Sequence, residues 1–463
     1  MKFELFGYQE KIYQETLWQL LNTMNNIAVQ LATRGGKSPI MSKLIEYLYP
    51  SKIAFVAHKK ILISQMSEEL EQHGIKHGIL AAGYPMLKYR VQVISKDTLT
   101  RRVDKLKEMG WSDFEYIFID EAHRIKGKTY LSILKKYPNA RVLGFSGTFE
   151  RTDGQPFTDI FQYMVNGPQI SYLQSINRYA KFDIYIPDIV DTKGIKTIGG
   201  EYSKKEAAAA VDKQAIYGHL PTHWKKYADG KKTLTFCLSI DHAVHVCEEF
   251  NRHNIPSVIV SSRDEDHIRN RKVKDYYSGK YINLVSVDLF IEGFHVRECE
   301  CIVMARITKS LVVYLQTAGR AAMTYPGKSD VIYLDCVGNC LNPALGLPDD
   351  DREWSLEGRT KKEKEKAKLK RCPECYRPIP VSSRSCPLCG HLFVEVEEAG
   401  SRIPEEVDGE LINIKDRQAM NGLVIEIARK CWTLKQAINI AKKYGVSHRQ
   451  AYYIWTHKLK NKA

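Results

Sequence analysis

Apolar positions along this chain fall into runs of four or five residues, separated by longer stretches in which they recur at helical spacing. Between residues 27 and 149 the runs are Ile27-Ala28-Val29-Gln30-Leu31, Ile53-Ala54-Phe55-Val56-Ala57, Val91-Gln92-Val93-Ile94, Tyr116-Ile117-Phe118-Ile119 and Val142-Leu143-Gly144-Phe145. Nearly continuous apolar runs of this length suit strands buried on both faces. Ser38 to Leu48, between the first two runs, has the spacing of an amphipathic helix. Strands alternating with helices predict a parallel sheet covered by helices on both sides. The pattern returns at Thr233-Leu234-Thr235-Phe236-Cys237, Ser257-Val258-Ile259-Val260, Ile282 to Val287, Cys301-Ile302-Val303-Met304 and Val331-Ile332-Tyr333-Leu334. The fold class predicted is therefore α/β, with two tandem parallel-sheet lobes.

The expected boundaries are 1–165 for the first lobe and 226–345 for the second. A connection, 166–225, carries Pro and Gly punctuation and an Ala-rich helical piece from Glu206 to Val211. Residues 346–371 are expected to be a basic linker, because Arg359 to Arg371 alternates Lys with Glu as a solvated segment does. A small cysteine-bearing element, 372–393, and a basic helical tail, 394–463, complete the chain. No internal repeat has a solenoid period.

Composition narrows the class. At 463 residues the chain has room for roughly three domains. Its net charge of +15 and pI near 9.1 favour a polyanionic partner, either nucleic acid or an acidic membrane surface. No run of eighteen apolar residues is present, so no spanning helix and no membrane partner is expected. Met1-Lys2-Phe3-Glu4-Leu5 opens directly into folded-looking sequence, without the pattern of a signal peptide. Of eleven cysteines, four form two close pairs, and the others sit among apolar residues like buried thiols of an intracellular protein.

Two segments carry phosphate chemistry. Ala32-Thr33-Arg34-Gly35-Gly36-Lys37-Ser38 follows a strand and precedes a helix. Glycines there let backbone N–H groups face phosphates, and the helix N-terminus adds positive potential. Lys37 would reach the β- and γ-phosphates of a nucleotide, and Ser38 would hold Mg²⁺. Leu31 stands where the fullest pattern has its first glycine, and Arg34 occupies another usual glycine position. About 85 residues later, Asp120-Glu121-Ala122-His123 closes an apolar run. Such a carboxylate pair serves nucleotide hydrolysis: one acid, Asp120, holds the magnesium shell and the next, Glu121, orients the attacking water.

Cys372-Pro373-Glu374-Cys375 and Cys386-Pro387-Leu388-Cys389-Gly390 present four thiolates with the spacing of a tetrahedral zinc site. An iron–sulfur cluster or a redox pair are the alternatives. Arg371, Arg377, Arg384 and His391 surround the pairs, so the element is either a tab that meets DNA or a partner, or a stabilising clip. Leu434 to Lys460 has a helix–break–helix pattern, with Gly445 at the stop and Ser447 as cap. Its aromatic and basic second half either packs on a lobe or touches phosphates.

The ordered set resembles the superfamily 2 helicases, over roughly residues 3–345. Gly7-Tyr8-Gln9 looks like the glutamine motif that reads adenine, and Asp120–His123 is a DEAH box. Val56 to Lys60 and Ile94 to Thr98 look like motifs that grip a strand. Ser146-Gly147-Thr148 looks like the motif that couples hydrolysis to motion. Glu292-Gly293-Phe294 resembles motif V, and Gln316-Thr317-Ala318-Gly319-Arg320 motif VI. A narrower likeness, through Ala305–Ser310, Asp335–Asn339 and Asp351–Leu356, is to RadD-type DNA repair helicases and phage branch-migration helicases.

The resemblance implies ATP, Mg²⁺ and Zn²⁺ as cofactors. It implies Tyr8, Gln9, Thr33, Arg34, Gly35, Gly36, Lys37, Ser38 and Gly293 as the nucleotide site. Lys37, Asp120, Glu121, Gln316 and Arg320 would carry catalysis, with His123, Ser146 and Thr148 coupling it to motion. His58, Lys59, Ser95 and Lys96 would contact a nucleic-acid backbone. The implied activity is ATP-driven unwinding or branch migration of forked or junction DNA in repair, recombination or replication. The implied location is the cytoplasm of a bacterium or a phage-infected cell, with a single-strand-binding or recombination protein as partner. An RNA helicase and a nucleic-acid-binding scaffold with a weakened motor are the alternatives. Two positions depart from the pattern: Met323 stands where motif VI usually has a second arginine, and His295 where motif V usually has Asp.

Overall fold

The structure is a computed structural model that describes residues 4–108, 113–151, 153–213, 217–261, 263–287, 298–358, 368–393 and 436. The first lobe has a seven-stranded sheet in the order β3-β4-β2-β5-β6-β1-β7, parallel throughout. Its strands are β1 (Ile27–Gln30), β2 (Ile53–Ala57), β3 (His77–Leu80), β4 (Val91–Ser95), β5 (Tyr116–Asp120), β6 (Arg141–Ser146) and β7 (Tyr163–Asn166). Helices α1 (Gly7–Asn22), α2 (Lys37–Leu48), α3 (Lys60–Gln72), α4 (Lys96–Glu108) and α5 (Lys128–Lys136) belong to this lobe, and short α6 (Ile170–Ser175) follows β7. Alternate residues of each strand serve opposite faces. Ile27, Val29, Phe55 and Phe118 join one core, while Ala28, Ala54, Val56 and Ile119 join the other. Every residue of β1, β2 and β6 is buried, which is why these runs lack polar alternation.

The second sheet has six parallel strands, ordered β12-β13-β11-β14-β15-β8. They are β8 (Lys181–Tyr185), β11 (Thr233–Cys237), β12 (Ser257–Val260), β13 (Asn283–Val287), β14 (Cys301–Met304) and β15 (Asp330–Asp335). A two-strand hairpin, β9 (Thr197–Ile198) and β10 (Glu201–Tyr202), lies between β8 and the rest. Helices α7 (Lys204–Val211), α8 (Leu220–Ala228), α9 (Ile240–Arg252), α10 (Asp266–Tyr277) and α11 (Leu311–Gly319) complete the lobe. Strands β16 (Leu369–Arg371) and β17 (Pro378–Pro380) pair antiparallel beside the cysteine pairs. Among the described residues, no helix is long and apolar enough to cross a membrane.

Two sequence expectations are corrected. Residues 181–185, assigned to the connection, form β8 and pair with β15 at the edge of the second sheet. The expected linker, 346–371, is largely built into the fold. Leu356 packs in a core of the first lobe, Phe157 N donates to Leu356 O at 2.7 Å, and Arg352 is buried with its guanidinium on the carbonyls of Leu345, Leu347 and Asp350. Leu369–Arg371 is a strand. The expected helical tail lies outside the described residues, apart from residue 436, as does most of the Lys/Glu run, 359–367.

Candidate functional site

Chain geometry brings the phosphate loop, the carboxylate pair and the Gln-x-x-x-Arg segment to one place. Strands β1, β5 and β6 are parallel neighbours, so their C-terminal ends share one edge of the sheet. The loop after β1 holds Thr33 to Gly36, β5 ends on Asp120, and β6 ends on Ser146. Lys37 and Ser38 open α2, where backbone N–H groups have no intrahelical partner.

The loop is braced from behind by α1. Tyr8 Oη donates to Gly35 O at 2.9 Å, and Gln9 Nε2 donates to Gly35 O at 3.2 Å. Gln9 Oε1 accepts from Phe6 N at 3.0 Å. Gln9 thus fixes the loop with one end of its amide and the start of α1 with the other. Gly36 has φ +88°, and a Cβ there would lie 2.1 Å from Gln9 Nε2, so only glycine fits. Thr33 is wedged between two other glycines. A Cβ on Gly147 would meet Thr33 Oγ1 at 2.8 Å, and one on Gly319, from the second lobe, would meet Thr33 Cβ at 2.7 Å.

Glu121 is the centre of the site. It takes a left-handed conformation, φ 53°, which is unfavourable for a side chain with a Cβ by about 1–2 kcal/mol. That turn aims a carboxylate that is almost fully buried at groups from both lobes. Lys37 Nζ is 3.9 Å from one oxygen. His123 Nδ1 is 3.3 Å from the other, which also accepts from Gln316 Nε2 at 3.2 Å. Asp120 Oδ1 accepts from Glu121 N at 2.9 Å. His123 Nδ1 lies 3.0 Å from Ser146 Oγ, and that hydroxyl donates to Thr148 O at 2.7 Å. The one hydroxyl proton being used, His123 must carry its proton on Nδ1. Thr148 enters the chain through its backbone, since its N–H donates back to Ser146 Oγ at 3.2 Å.

The second lobe reaches the site through α11. Gln316 is buried on Glu121, and Arg320, at the helix C-cap, donates from Nε to Gln316 O at 3.3 Å. Met323 is half-buried just beyond. Arg34 also has positive φ, 71°. Its charge is felt by Lys328, whose pKa is lowered to about 8, by burial first and by Arg34 to a lesser degree. Gly293 and His295 lie outside the described residues.

His58, Lys59, Ser95 and Lys96 come together as well. β2 and β4 pair in parallel with Ala57 opposite Ser95, so both pairs leave the same edge on adjacent strands. Two features were missed in the sequence. Arg178 stacks over Phe6, 3.6 Å from the ring centroid, beside the Tyr8–Gln9 brace. Pro348, Asp350, Arg352, Glu353 and Trp354 help line a cavity of about 330 Å³ with Thr33, Gly147, Gln169 and Leu315. Asp351–Leu356 stands out as a motif, but nothing local in it shows which lobe it covers.

The four paired cysteines place their sulfurs within 4.8 Å of one another. Cys372 Sγ to Cys389 Sγ is 3.6 Å and Cys375 Sγ to Cys386 Sγ is 3.7 Å. Metal–sulfur bonds of about 2.3 Å in a tetrahedron put sulfurs about 3.8 Å apart, so the cluster suits one ion. Its arginines are not free for a ligand. Arg377 pairs with Asp183 and donates to Tyr185 Oη at 3.0 Å, and Arg371 holds the carbonyls of Ile186 and Pro187. Ile186 N donates to Tyr376 O at 2.7 Å. The first knuckle is thus docked on the end of β8. The other described cysteines are buried thiols: burial pushes Cys247 and Cys299 up to about 11, and raises Cys237, Cys301, Cys336 and Cys340 too.

Comparisons with known proteins agree with this architecture. Residues 2–151 match the family "Type III restriction enzyme, res subunit", and 213–323 match "Helicase conserved C-terminal domain". Residues 370–395 match "Uncharacterised protein family UPF0547". A "51.5 kDa protein" of a Lactococcus phage (isolate 7-9) is 30% identical over 393 residues, 83% of this chain and 82% of its own. The Schizosaccharomyces pombe protein named "Putative mitochondrial ATP-dependent helicase irc3" is 24% identical over 72% of this chain, which spans 57% of that protein. The fragment structure of an HsdR subunit assigned to a type I restriction enzyme from Vibrio vulnificus YJ016 superposes with a TM-score of 0.59 at 17% identity, covering 74% of this chain and 65% of that one. The helicase-family matches over both parallel-sheet lobes define an ATP-hydrolysing helicase that acts on nucleic acid. The chain belongs to the superfamily 2 helicases.

Proposed function

We propose that this helicase works on DNA, unwinding or branch-migrating forked and junction substrates in repair, recombination or replication. The observation that carries the motor reading is Glu121, held in one lobe and bonded by Gln316 of the other. Lys37 and the start of α2 take the β- and γ-phosphates, with Lys37 leaving Glu121 to do so. Ser38 and Asp120 hold Mg²⁺, which when bound neutralises charge on the phosphates. Glu121 orients water, and Arg320 brings positive charge from the second lobe as the cleft closes. His123, Ser146 and Thr148 pass the state of Glu121 to the junction. Tyr8, Gln9, Thr33, Arg34, Gly35 and Gly36 shape the nucleotide pocket, and Gly293 belongs to the same proposal.

His58, Lys59, Ser95 and Lys96 hold the strand backbone, a mode that is insensitive to sequence and sensitive to salt. The net charge of +15 supports a polyanion. The resemblance to RadD-type and phage branch-migration helicases, together with the Lactococcus phage relative, supports DNA and a phage-infected bacterial cytoplasm. The four cysteines hold Zn²⁺ structurally, since all four coordination places are taken by protein. A single-strand-binding or recombination protein is the proposed partner.

The test is ATP hydrolysis with single-stranded DNA, with RNA and with neither, then unwinding of a fork, a four-way junction and a blunt duplex. Stimulation by DNA above RNA, with the branched substrates preferred, is expected. Stimulation by RNA alone overturns the DNA reading, and no hydrolysis in any arm overturns the motor assignment.

A further inference from the structure

Helix α11 brings Gln316 to Glu121, and its N-terminus is held by a hairpin that the motifs do not include. Strands β9 and β10 turn on Gly199 and Gly200, both with positive φ (59° and 85°), as a tight two-residue hairpin turn requires. The segment around them is anchored by its own apolar cluster, in which Val190, Ala207 and Val211 pack on Ile307 and Val337 at the ends of β14 and β15. This places the Glu201 carboxylate against three consecutive residues leading into α11. Glu201 Oε1 accepts from Lys309 N at 2.8 Å. Its Oε2 accepts from Ser310 N at 3.2 Å and from the Thr308 hydroxyl. Lys309 Nζ donates to Thr197 Oγ1 at 2.6 Å and lies 4.7 Å from the Tyr202 ring centroid.

Backbone N–H groups at a helix start lack intrahelical partners and carry partial positive charge. Ser310 caps from within, accepting from Val313 N at 3.3 Å. Glu201 caps from without, and it needs both oxygens to do so. We infer that Glu201 is a positioning residue for ATP turnover: by gripping Thr308–Ser310 it sets where α11 delivers Gln316 and Arg320. The helix is nine residues long, so its far end lies about 14 Å from the grip. A rigid rod of that length carries a displacement at Ser310 directly to Gln316, to Arg320 and to the Gly319–Thr33 contact. Glu201 itself touches none of the reacting groups.

Glu201→Gln keeps the shape but leaves one acceptor oxygen and turns an NH₂ toward N–H donors. In steady-state hydrolysis at saturating nucleic acid, we expect kcat to fall about tenfold with KM for ATP within twofold. The thermal unfolding midpoint should stay within a few degrees. Thr308→Val, which removes one of the three donors, should lower kcat about threefold in the same way. In a Gln316→Ala background, Glu201→Gln should cost less than the tenfold it costs alone, because one of the groups it positions is already gone. Unchanged kcat in Glu201→Gln overturns the inference. So does a loss that is fully additive with Gln316→Ala, or one that tracks the unfolding midpoint, since either marks a merely structural cap.

Discussion

The two faces of the nucleotide cleft are built differently. The first-lobe face is a closed network, in which Lys37, Asp120, Glu121, His123 and Ser146 are tied to one another within 4 Å. On the second-lobe face, α11 and its C-cap present Gln316, Gly319 and Arg320. The first-lobe groups stand on one sheet edge, and the second lobe adds groups from the end of one helix.

The largest effect that would break this contrast is at Lys37. Lys37→Ala should lower turnover by at least about 10²-fold while leaving nucleic-acid binding intact, measured by ATPase assay and by fluorescence anisotropy. Retained hydrolysis would move the chemistry off the first lobe. At the seam, Gly319→Ala puts a methyl 2.7 Å from Thr33, and turnover should fall about tenfold as α11 is pushed back.

The second lobe's own integrity can be probed apart from the cleft. Cys386→Ser should lose about one zinc ion per chain by metal analysis and lower the unfolding midpoint of that lobe by roughly 5 °C. Acid should act there too. His242 is buried near Asp212 and His245, and burial lowers its pKa to about 4. The unfolded chain binds that proton near pH 6.5, so stability is full above this value and is lost as pH falls toward 4. The loss amounts to about 3 kcal/mol, and His242→Leu should flatten that part of the pH profile. The smallest effect is expected at Met323. Met323→Arg should give equal or a few-fold faster turnover, adding a second cation to the sparse face; a clear loss would show a site shaped around methionine.

What could be read in the sequence was whatever is local or buried on both sides. The central strands of both sheets lie on uninterrupted apolar runs, because neither face meets water. The cysteine pairs are recognisable by spacing alone. Edge strands were harder: β8, Lys181-Phe182-Asp183-Ile184-Tyr185, alternates polar with apolar, and that period was the signal overlooked. The phosphate loop was legible as a motif, but its brace by Tyr8 and Gln9 depends on contacts about 27 positions away. Arg371 and Arg377 looked like free cations because their partners, Ile186, Pro187 and Asp183, lie almost 190 positions earlier. Glu201 gave no sign, being one acid in a polar stretch whose role arises only where the hairpin lands.

The pairing of β8 with β15 also bears on the order in which the protein is made. Lys181 waits opposite Asp330, about 150 positions later in the chain. At roughly 5–20 residues per second, that interval lasts on the order of 10–30 seconds on the ribosome. Throughout it the first sheet has all its strands, while β8 has neither its sheet neighbour nor the knuckle that clasps its end. The nascent chain thus holds one sheet with all its strands and, beside it, an unpaired strand edge, a template for wrong pairing.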